Sequence, residues 1–257
     1  HKEYRRQRQM CIRDSSWGDP ASDRRVLLVH GLGSSAALMW RVGTALADAG
    51  WHATAVDLRG HGDAPRALDY SVAAYAADLV ATEPDGGGAW DAVVGHSLGG
   101  AAGTAAAASA PEWTRRLVLL DPAILVDGRD AAIVRRSQER AFADNRVELV
   151  QQEHPHWHPQ DWELKVDAVH RASAWAVEQT SAQNTPWDVT ADAARLTVPT
   201  QVIASDPAVY SIFTGDVAAS VLASNPLVTM SVVEGSGHSL HRDKPEETVR
   251  QLREALA

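Results

Sequence analysis

The pentapeptide GHSLG at residues 95–99 is the segment whose residue types and spacing point most directly to chemistry. It follows a short apolar run at 92–94 and precedes an alanine-rich stretch that favours a helix. The order strand, sharp turn and helix strains the turn and pushes a serine hydroxyl outward, while glycines two residues to either side let the backbones pass closely. We therefore predict that Ser97 is an exposed nucleophile.

Three further glycine-containing turns follow apolar runs elsewhere in the chain. HGLG at 30–33 follows the run at 26–29, DLRGHG at 57–62 follows 52–56, and GSGH at 235–238 follows 228–233. Together with the serine turn, and in this order, these segments resemble the α/β-hydrolase family over about residues 23–257. The resemblance implies an α/β fold with a doubly wound, mostly parallel sheet and a helical lid insertion.

The resemblance also implies partners for the serine, which needs an adjacent base to become a good nucleophile. His238 lies in the glycine-rich loop after the last predicted strand, where the family carries its catalytic histidine. In the family, the acid that orients this histidine follows either of two strands, and Asp121 and Asp206 occupy those places. Asp121 is favoured and Asp206 stays open, because Val209 and Tyr210 stand where many relatives that use the later site carry a second aspartate.

Acyl transfer also requires donors aimed at the negative charge that develops on the carbonyl oxygen. The backbone N–H of Leu98 is expected to supply one, and that of Leu32, next to Gly31, the other. Trp157 and Trp162 belong to the predicted lid, where they could form an apolar wall for the substrate or simply pack the lid onto the core.

Short apolar runs predict the strands of the core, at residues 25–30, 52–57, 91–96, 116–121, 200–205 and 228–234. Most are continuous rather than alternating, as expected of a parallel sheet covered on both faces. From about 127 to 190 this alternation of strands and helices gives way to charged, tryptophan-rich helical stretches. We expect a lid there, between core segments 16–126 and 191–257.

The segment at residues 1–15 is arginine-rich and has no apolar periodicity. Residues 5–15 resemble translated sequencing-adapter carry-over, and native-looking sequence resumes near Trp17. We therefore expect a non-native tail that does not dock on the core and that replaces the family's first edge strand. A genuine basic tail is the alternative.

The composition argues against several classes of partner. A net charge of −9 without a long basic run fits neither nucleic acid nor an anionic membrane surface. No stretch approaches the ~20 apolar residues of a membrane span, and the single cysteine, Cys11, rules out an intrachain disulfide. Because no secretory signal is recognisable, we expect a cytoplasmic protein.

The histidine-rich segment HPHWH at 154–158 invites a metal interpretation. Nothing else in the chain completes a zinc-like ligand set at standard spacing, so a lid loop is the preferred interpretation. We expect no metal and no cofactor.

These residues together predict a serine hydrolase that cleaves a carboxylic ester or related acyl bond of a small apolar substrate through an acyl-serine intermediate. Three alternatives stay open: hydrolysis of carbon–carbon bonds or lactones on the same triad, a ligand receptor that retains the triad, and a cofactor-free perhydrolase or oxygenase. The sequence leaves the substrate undetermined, because fold and triad are shared across many chemistries, and it leaves the oligomeric state undetermined as well.

Overall fold

Strands and helices alternate along most of the protein in the computed structural model, which describes residues 12–257. The first part contains β1 (Ile12–Trp17), β2 (Arg25–Val29), a 3₁₀ turn (Ala36–Met39), α1 (Trp40–Ala47), β3 (His52–Asp57), α2 (Val72–Val80), β4 (Ala92–His96), α3 (Leu98–Ser109) and β5 (Leu117–Leu120). The second part contains β6 (Leu125–Val126), α4 (Gly128–Ala143), α5 (Val147–Glu153), α6 (Pro159–Arg171), α7 (Ala174–Gln183), β7 (Trp187–Asp188), α8 (Thr190–Ala194), β8 (Thr200–Ser205), α9 (Gly215–Ser224), β9 (Val228–Val233), α10 (Leu240–Asp243) and α11 (Pro245–Leu256).

Seven strands form the main sheet, in the order β1-β3-β2-β4-β5-β8-β9. Every neighbouring pair is parallel except β1 with β3. From β2 the chain first moves to β3 and then returns past β2 to β4, so the strand order reverses between β2 and β4. In open α/β sheets the crevice at such a reversal, outside the carboxyl ends of the strands, is where ligands bind.

Alternate residues of the central strands face two separate hydrophobic clusters. In β2, Val26 and Leu28 belong to the cluster that contains residues of α1 and α11, whereas Leu27 and Val29 belong to the cluster that contains residues of α2, α3 and α9. Both faces of the sheet are therefore covered, which explains the continuous apolar runs. The predicted α/β fold with a doubly wound, mostly parallel sheet is confirmed.

All six predicted strands are present, and two of them, β3 and β8, begin and end at the predicted residues. The other four are one or two residues shorter. At β2 and β5 the predicted last residues, His30 and Asp121, have already left the strand, because both belong to loops that carry the candidate site.

The edge strand β1 is a difference from the sequence prediction. A tail that does not dock is expected up to residue 15, whereas β1 begins at Ile12 and pairs antiparallel with β3. An edge strand is bonded on one side only and therefore leaves little apolar pattern in a sequence. Trp17 packs closely on α1, since a Cβ on Gly43 would come within 2.2 Å of its ring. The rest of the predicted tail, residues 1–11, lies outside the described residues.

Four helices, α4 to α7, connect β6 to β7, and we call them the lid. The two short strands pair antiparallel and join both ends of this insertion to the core. With two residues each, they are too short to leave a sequence pattern. The division into a tail, a two-part core and a lid domain stays a prediction. None of the described helices is long and apolar enough to cross a membrane.

Candidate active site

Ser97 occupies the turn between β4 and α3 with φ 52° and ψ −114°, a conformation that residues other than glycine rarely adopt. A Cβ on Gly99 would come within 2.4 Å of the Val29 carbonyl oxygen, and one on Gly95 within 2.5 Å of the Gly99 carbonyl oxygen. The turn therefore needs both glycines. Such strain costs on the order of 1–3 kcal/mol and is retained where it positions a functional group.

A chain of hydrogen bonds links three side chains that come from three different loops. His238 Nε2 lies 2.9 Å from Ser97 Oγ, and His238 Nδ1 lies 2.6 Å from Asp121 Oδ2. Because an ionised carboxylate only accepts hydrogen bonds, we place the proton of the neutral ring on Nδ1. The lone pair of Nε2 then accepts from the serine hydroxyl, which is the arrangement of a base beside its nucleophile.

Asp121 is fully buried at the end of β5 and is held by several donors. Its Oδ1 accepts from Ser211 Oγ at 2.6 Å, and its Oδ2 accepts from the Ile212 N–H at 3.2 Å. Burial raises the pKa of Asp121, but donation from His238, Ser211 and Ile212 outweighs burial and holds the pKa below its ordinary value. The carboxylate therefore stays ionised beside the histidine.

The structure does not bring the alternative acid, Asp206, to His238. Its Oδ1 accepts from the Ala208 N–H and its Oδ2 from the Gly235 N–H, both at 2.8 Å. These backbone bonds lower its pKa and make it a turn cap between two loops. The loop after β8 contributes Ser211 and Ile212 to the site instead, and no motif in the sequence indicates their role.

His96 fixes the loop that carries the histidine. Its Nε2 donates to the carbonyl oxygen of His238 at 2.8 Å. Burial, together with the neighbouring His241, lowers the pKa of His96 and keeps the ring neutral. The opposite edge of the ring lies against Gly31, where a Cβ would meet His96 Nδ1 at 2.8 Å. Only a glycine at 31 lets this loop reach Ser97.

The two predicted oxyanion donors lie on either side of Ser97. Leu98 is the first residue of α3, and the first four N–H groups of a helix have no acceptor within the helix. The N–H of Leu32 donates to no other group among the described residues. Both N–H groups are therefore free to donate to a substrate oxygen, and that role stays a proposal.

Two buried histidines, His30 and His61, accept hydrogen bonds from backbone N–H groups in or next to the loop that carries Leu32. His61 Nε2 accepts from the Gly33 N–H at 3.1 Å, and His30 Nε2 accepts from the Leu58 N–H at 3.1 Å. Burial lowers the pKa of His61 to about 3 and that of His30 to about 4, so both stay neutral and able to accept. From the sequence, residues 57–62 are recognisable only as a glycine-containing turn, because a contact across 28 residues leaves no local pattern.

Two cavities meet at Ser97. The histidine-side cavity, of about 450 Å³, has in its wall Gly31, Trp157, Lys165, Tyr210, His238 and Arg242. The apolar cavity, of about 380 Å³, is lined mainly by apolar side chains that include Leu98, Ala123, Val126, Trp187 and Ile212. Leu32, Ser97 and Val134 line both cavities.

The two tryptophans predicted to contact substrate lie in different environments. Trp157 lines the histidine-side cavity and donates from Nε1 to Asp243 Oδ1 at 2.6 Å. Trp162 lines neither cavity, because its Nε1 donates to the His154 carbonyl oxygen at 2.9 Å and closes a turn of the lid. Trp162 therefore lies outside both cavities that meet at Ser97, and its contact with substrate stays a prediction.

The histidines of residues 154–158 also have local partners. His154 stacks on Trp157 with ring centroids 3.8 Å apart, and His156 Nε2 lies 3.0 Å from Asp243 Oδ1. Within residues 12–257, no group of three or more His, Cys, Asp or Glu side chains could hold a metal ion. The segment is a lid loop that reaches the core through Asp243.

A doubly wound sheet that carries a serine, a histidine and an aspartate at the carboxyl ends of its strands defines a class of α/β protein with a hydrolase-like site. A model of the alpha/beta hydrolase family matches residues 26–251. The chain belongs to this family, and the match confirms the predicted family and enzyme class.

Curated relatives match only part of the chain. Lipase LipV of Mycobacterium tuberculosis is 37% identical over 109 residues, which are 42% of this chain and 41% of the lipase. A pimeloyl-[acyl-carrier protein] methyl ester esterase of Neisseria meningitidis is 38% identical over 100 residues, 39% of this chain and 37% of the esterase. The chain thus matches about two fifths of the length of these relatives.

Solved structures match nearly the whole chain. N-formylmaleamic acid deformylase from Pseudomonas putida S16 has a TM-score of 0.77 at 26% identity, covering 95% of this chain and 94% of that one. An esterase from Exiguobacterium antarcticum has a TM-score of 0.75 at 17% identity, covering 94% of each chain. The second likeness shows the fold alone.

Proposed function

We propose that this protein is a serine hydrolase that cleaves a carboxylic ester through an acyl-serine intermediate. The observation that carries the proposal is the hydrogen-bonded chain from Ser97 through His238 to Asp121, placed where two cavities meet. A hydroxyl, a base beside it and a buried acid behind the base form the arrangement that activates serine.

In the first half of the reaction, His238 Nε2 takes the proton of Ser97 Oγ as that oxygen attacks the ester carbonyl carbon. The negative charge that forms on the carbonyl oxygen accepts hydrogen bonds from the two oxyanion N–H groups. The intermediate then collapses: His238 gives its proton to the leaving oxygen, the carbon–oxygen bond breaks and an alcohol departs. The acyl group stays on Ser97.

In the second half, a water molecule gives a proton to His238 and attacks the acyl carbon. The tetrahedral intermediate breaks at the bond to Ser97, whose oxygen recovers the proton from His238, and a carboxylic acid leaves. Asp121 stays ionised throughout and stabilises the imidazolium that forms in each half. No external cofactor is needed for these steps.

The two cavities divide the substrate between them. Because His238 must protonate the leaving oxygen, the leaving alcohol belongs in the histidine-side cavity, which His238 lines. The acyl group then belongs in the apolar cavity, which His238 does not line. The wall of Trp187, Val126 and Ile212 suits an uncharged acyl chain.

The names of the relatives support an acyl bond as the substrate. One is a lipase and another a methyl ester esterase, although each matches over only about two fifths of its length. Hydrolysis of carbon–carbon bonds or lactones would use the same side chains, so a lactone and a carbon–carbon substrate are measured beside the esters described next.

The test combines the Ser97→Ala variant with chromogenic esters of increasing acyl length and a fluorophosphonate label. Wild type should hydrolyse at least one ester and label covalently, whereas Ser97→Ala should lose turnover by roughly 10⁶-fold and should not label. Ser109→Ala, at the far end of the same helix α3, is the matched control and should behave as wild type. Equal labelling of wild type and Ser97→Ala would contradict the proposal.

A further inference from the structure

The histidine-side cavity contains an arginine whose hydrogen bonds are incomplete. Arg242 is only 5% exposed, and its guanidinium carbon lies 4.5 Å from the centre of the Trp157 ring. Nη2 donates to Ser239 Oγ at 2.9 Å, whereas Nε and Nη1 are buried and have no hydrogen-bond partner within residues 12–257. A buried charged group with unmatched donors is costly, and arginine cannot remove the cost by losing its proton.

A second cation, Lys165, lines the same cavity. Its Nζ donates to the Gly33 carbonyl oxygen at 2.9 Å, which uses one of its three protons. Burial, and then the charge of Arg242, lowers the pKa of Lys165 to about 8, so the ammonium is still mostly protonated at pH 7. Because the two cations repel each other, an anion bound between them would reduce the electrostatic repulsion.

The carboxylates that face these cations already have other partners. Asp243 Oδ1 accepts from Trp157 and His156, and its Oδ2 accepts from the Gly237 N–H. Asp161, which is also close enough to affect Arg242, accepts from Arg41 and Trp40. Neither carboxylate forms a hydrogen bond with Arg242 or Lys165. Of the two, only Asp243 lines the cavity, so the wall has two cations against one carboxylate.

The apolar cavity on the other side of Ser97 has no such pair. Its charged lining residues are Asp127 and Arg135, one of each sign, and both are exposed, whereas its buried wall is apolar. The two cavities therefore differ in charge, and this difference would distinguish the leaving group from the acyl group of a substrate bound at Ser97.

We propose that the substrate carries a carboxylate on its leaving-group side, bound in the histidine-side cavity by Arg242 and Lys165. This inference rests on the proposed serine hydrolase function and specifies its substrate class: an acyl ester of a hydroxy acid, with an uncharged acyl chain. A carboxylate matches a guanidinium fork, and charge-assisted bonds of this kind are about twice as strong as neutral ones.

The experiment compares two esters that differ only in the charge of the leaving group. The acyl ester of 3-hydroxybenzoate is measured against the same acyl ester of 3-hydroxybenzamide, with the acyl chain chosen from the chromogenic panel. The kcat/KM of wild type should favour the carboxylate by about 10- to 100-fold. Arg242→Gln and Lys165→Gln, which keep a donor but remove the charge, should each reduce the ratio of the two kcat/KM values by about tenfold, in addition to any loss that both esters share.

The control variant is Arg136→Gln, which removes an exposed charge from the lid helix α4 and should keep the wild-type preference. If Arg242 had a purely structural role, Arg242→Gln would lower the kcat/KM of both esters by the same factor and leave their ratio unchanged. That result would overturn the assignment. Binding of 3-hydroxybenzoate against 3-hydroxybenzamide to Ser97→Ala, measured by calorimetry, gives the same comparison without turnover. Comparable affinity for the two would also overturn it.

The outcomes separate this inference from the function beneath it. Equal rates for the two esters in a wild-type protein that labels with fluorophosphonate would reject the carboxylate site and leave the serine hydrolase standing. Absence of both turnover and labelling would reject the hydrolase proposal itself. If a variant at Arg242 fails to fold, the wild-type ratio and the Lys165→Gln variant still decide the question.

Discussion

A helix of the sheet core and a helix of the lid differ in how they are packed. In the core helix α3, ten of twelve residues are buried, nearly all of them alanine or glycine, so the helix lies close against the sheet. In the lid helix α4, none of the sixteen residues is buried and six are charged. The core helix is therefore fixed by close packing, whereas the apolar contact of the lid with the core comes from buried residues of other lid helices, such as Ala176 of α7.

Polar contacts also join the lid to the core. Lys165 of α6 donates to the loop that carries Leu32, and buried Asp161 of the same helix accepts from Trp40 Nε1 at 2.8 Å and from Arg41 Nε at 3.0 Å. Hydrogen bonds are directional and few, so they fix a position without a large apolar interface. The reacting groups thus belong to the core, whereas the proposed site for the substrate carboxylate combines Arg242 of the core helix α10 with Lys165 of the lid helix α6.

The largest effect that tests this division concerns the acid behind His238. Asp121→Asn keeps the shape but presents the wrong hydrogen-bonding pattern to Nδ1, and we expect kcat to fall by about 10⁴. Asp206→Asn is the matched control. Because asparagine also suits a turn, the loss of kcat in this variant should be small. Both variants are measured on one ester, with circular dichroism to check folding. A larger loss for Asp206→Asn would show that the acid lies on the later strand.

A smaller effect is expected when the lid is loosened. Asp161→Ala removes the acceptor of Trp40 and Arg41, and because Arg41 is partly exposed we expect a stability loss of only about 1–3 kcal/mol. KM should rise about tenfold, while kcat and fluorophosphonate labelling change less than about threefold. Glu163→Ala, an exposed position on the same helix, serves as the control. A collapse of labelling in Asp161→Ala would mean that the lid supports the reaction centre itself.

The same contrast explains how much the sequence could predict. The turn at Ser97 is visible because close backbone passage leaves no choice but glycine at 95 and 99, and the buried strands are visible because both faces are covered. His238 can be recognised by its loop and its place in the order of segments. These features depend on local sterics and burial, which short segments record.

Contacts between distant segments left no such record. The choice between Asp121 and Asp206 depends on how residues 206–213 fold back, because that path brings Ser211 rather than Asp206 to the site. Arg242 and Lys165 are 77 residues apart in the sequence. Taken one at a time, each is indistinguishable from an ordinary surface charge. Only the folded chain places them in one cavity wall, next to the serine.

The smallest expected effect on kcat concerns β1, the strand at the N-terminal edge of the sheet. Strand β1 lies three places from β4 in the sheet, about 14 Å from the strand that carries Ser97, so its loss should affect stability rather than chemistry. Removing residues 1–11, which have no apolar pattern, should leave both the melting temperature and kcat unchanged.

Removing residues 1–17 should instead lower the melting temperature by several degrees, because the ladder with β3 and the contact of Trp17 with Gly43 are lost. Trp17→Ala in the full chain is the companion variant, with an expected cost of about 2 kcal/mol since the ring is only partly buried. In both variants kcat should stay within about twofold, because the loops after β4, β5 and β9 are held by strands that β1 does not touch. If the deletion of residues 1–17 left the melting temperature unchanged, β1 would not contribute to the stability of the sheet. That result would support the predicted tail up to residue 15 and contradict the pairing of β1 with β3.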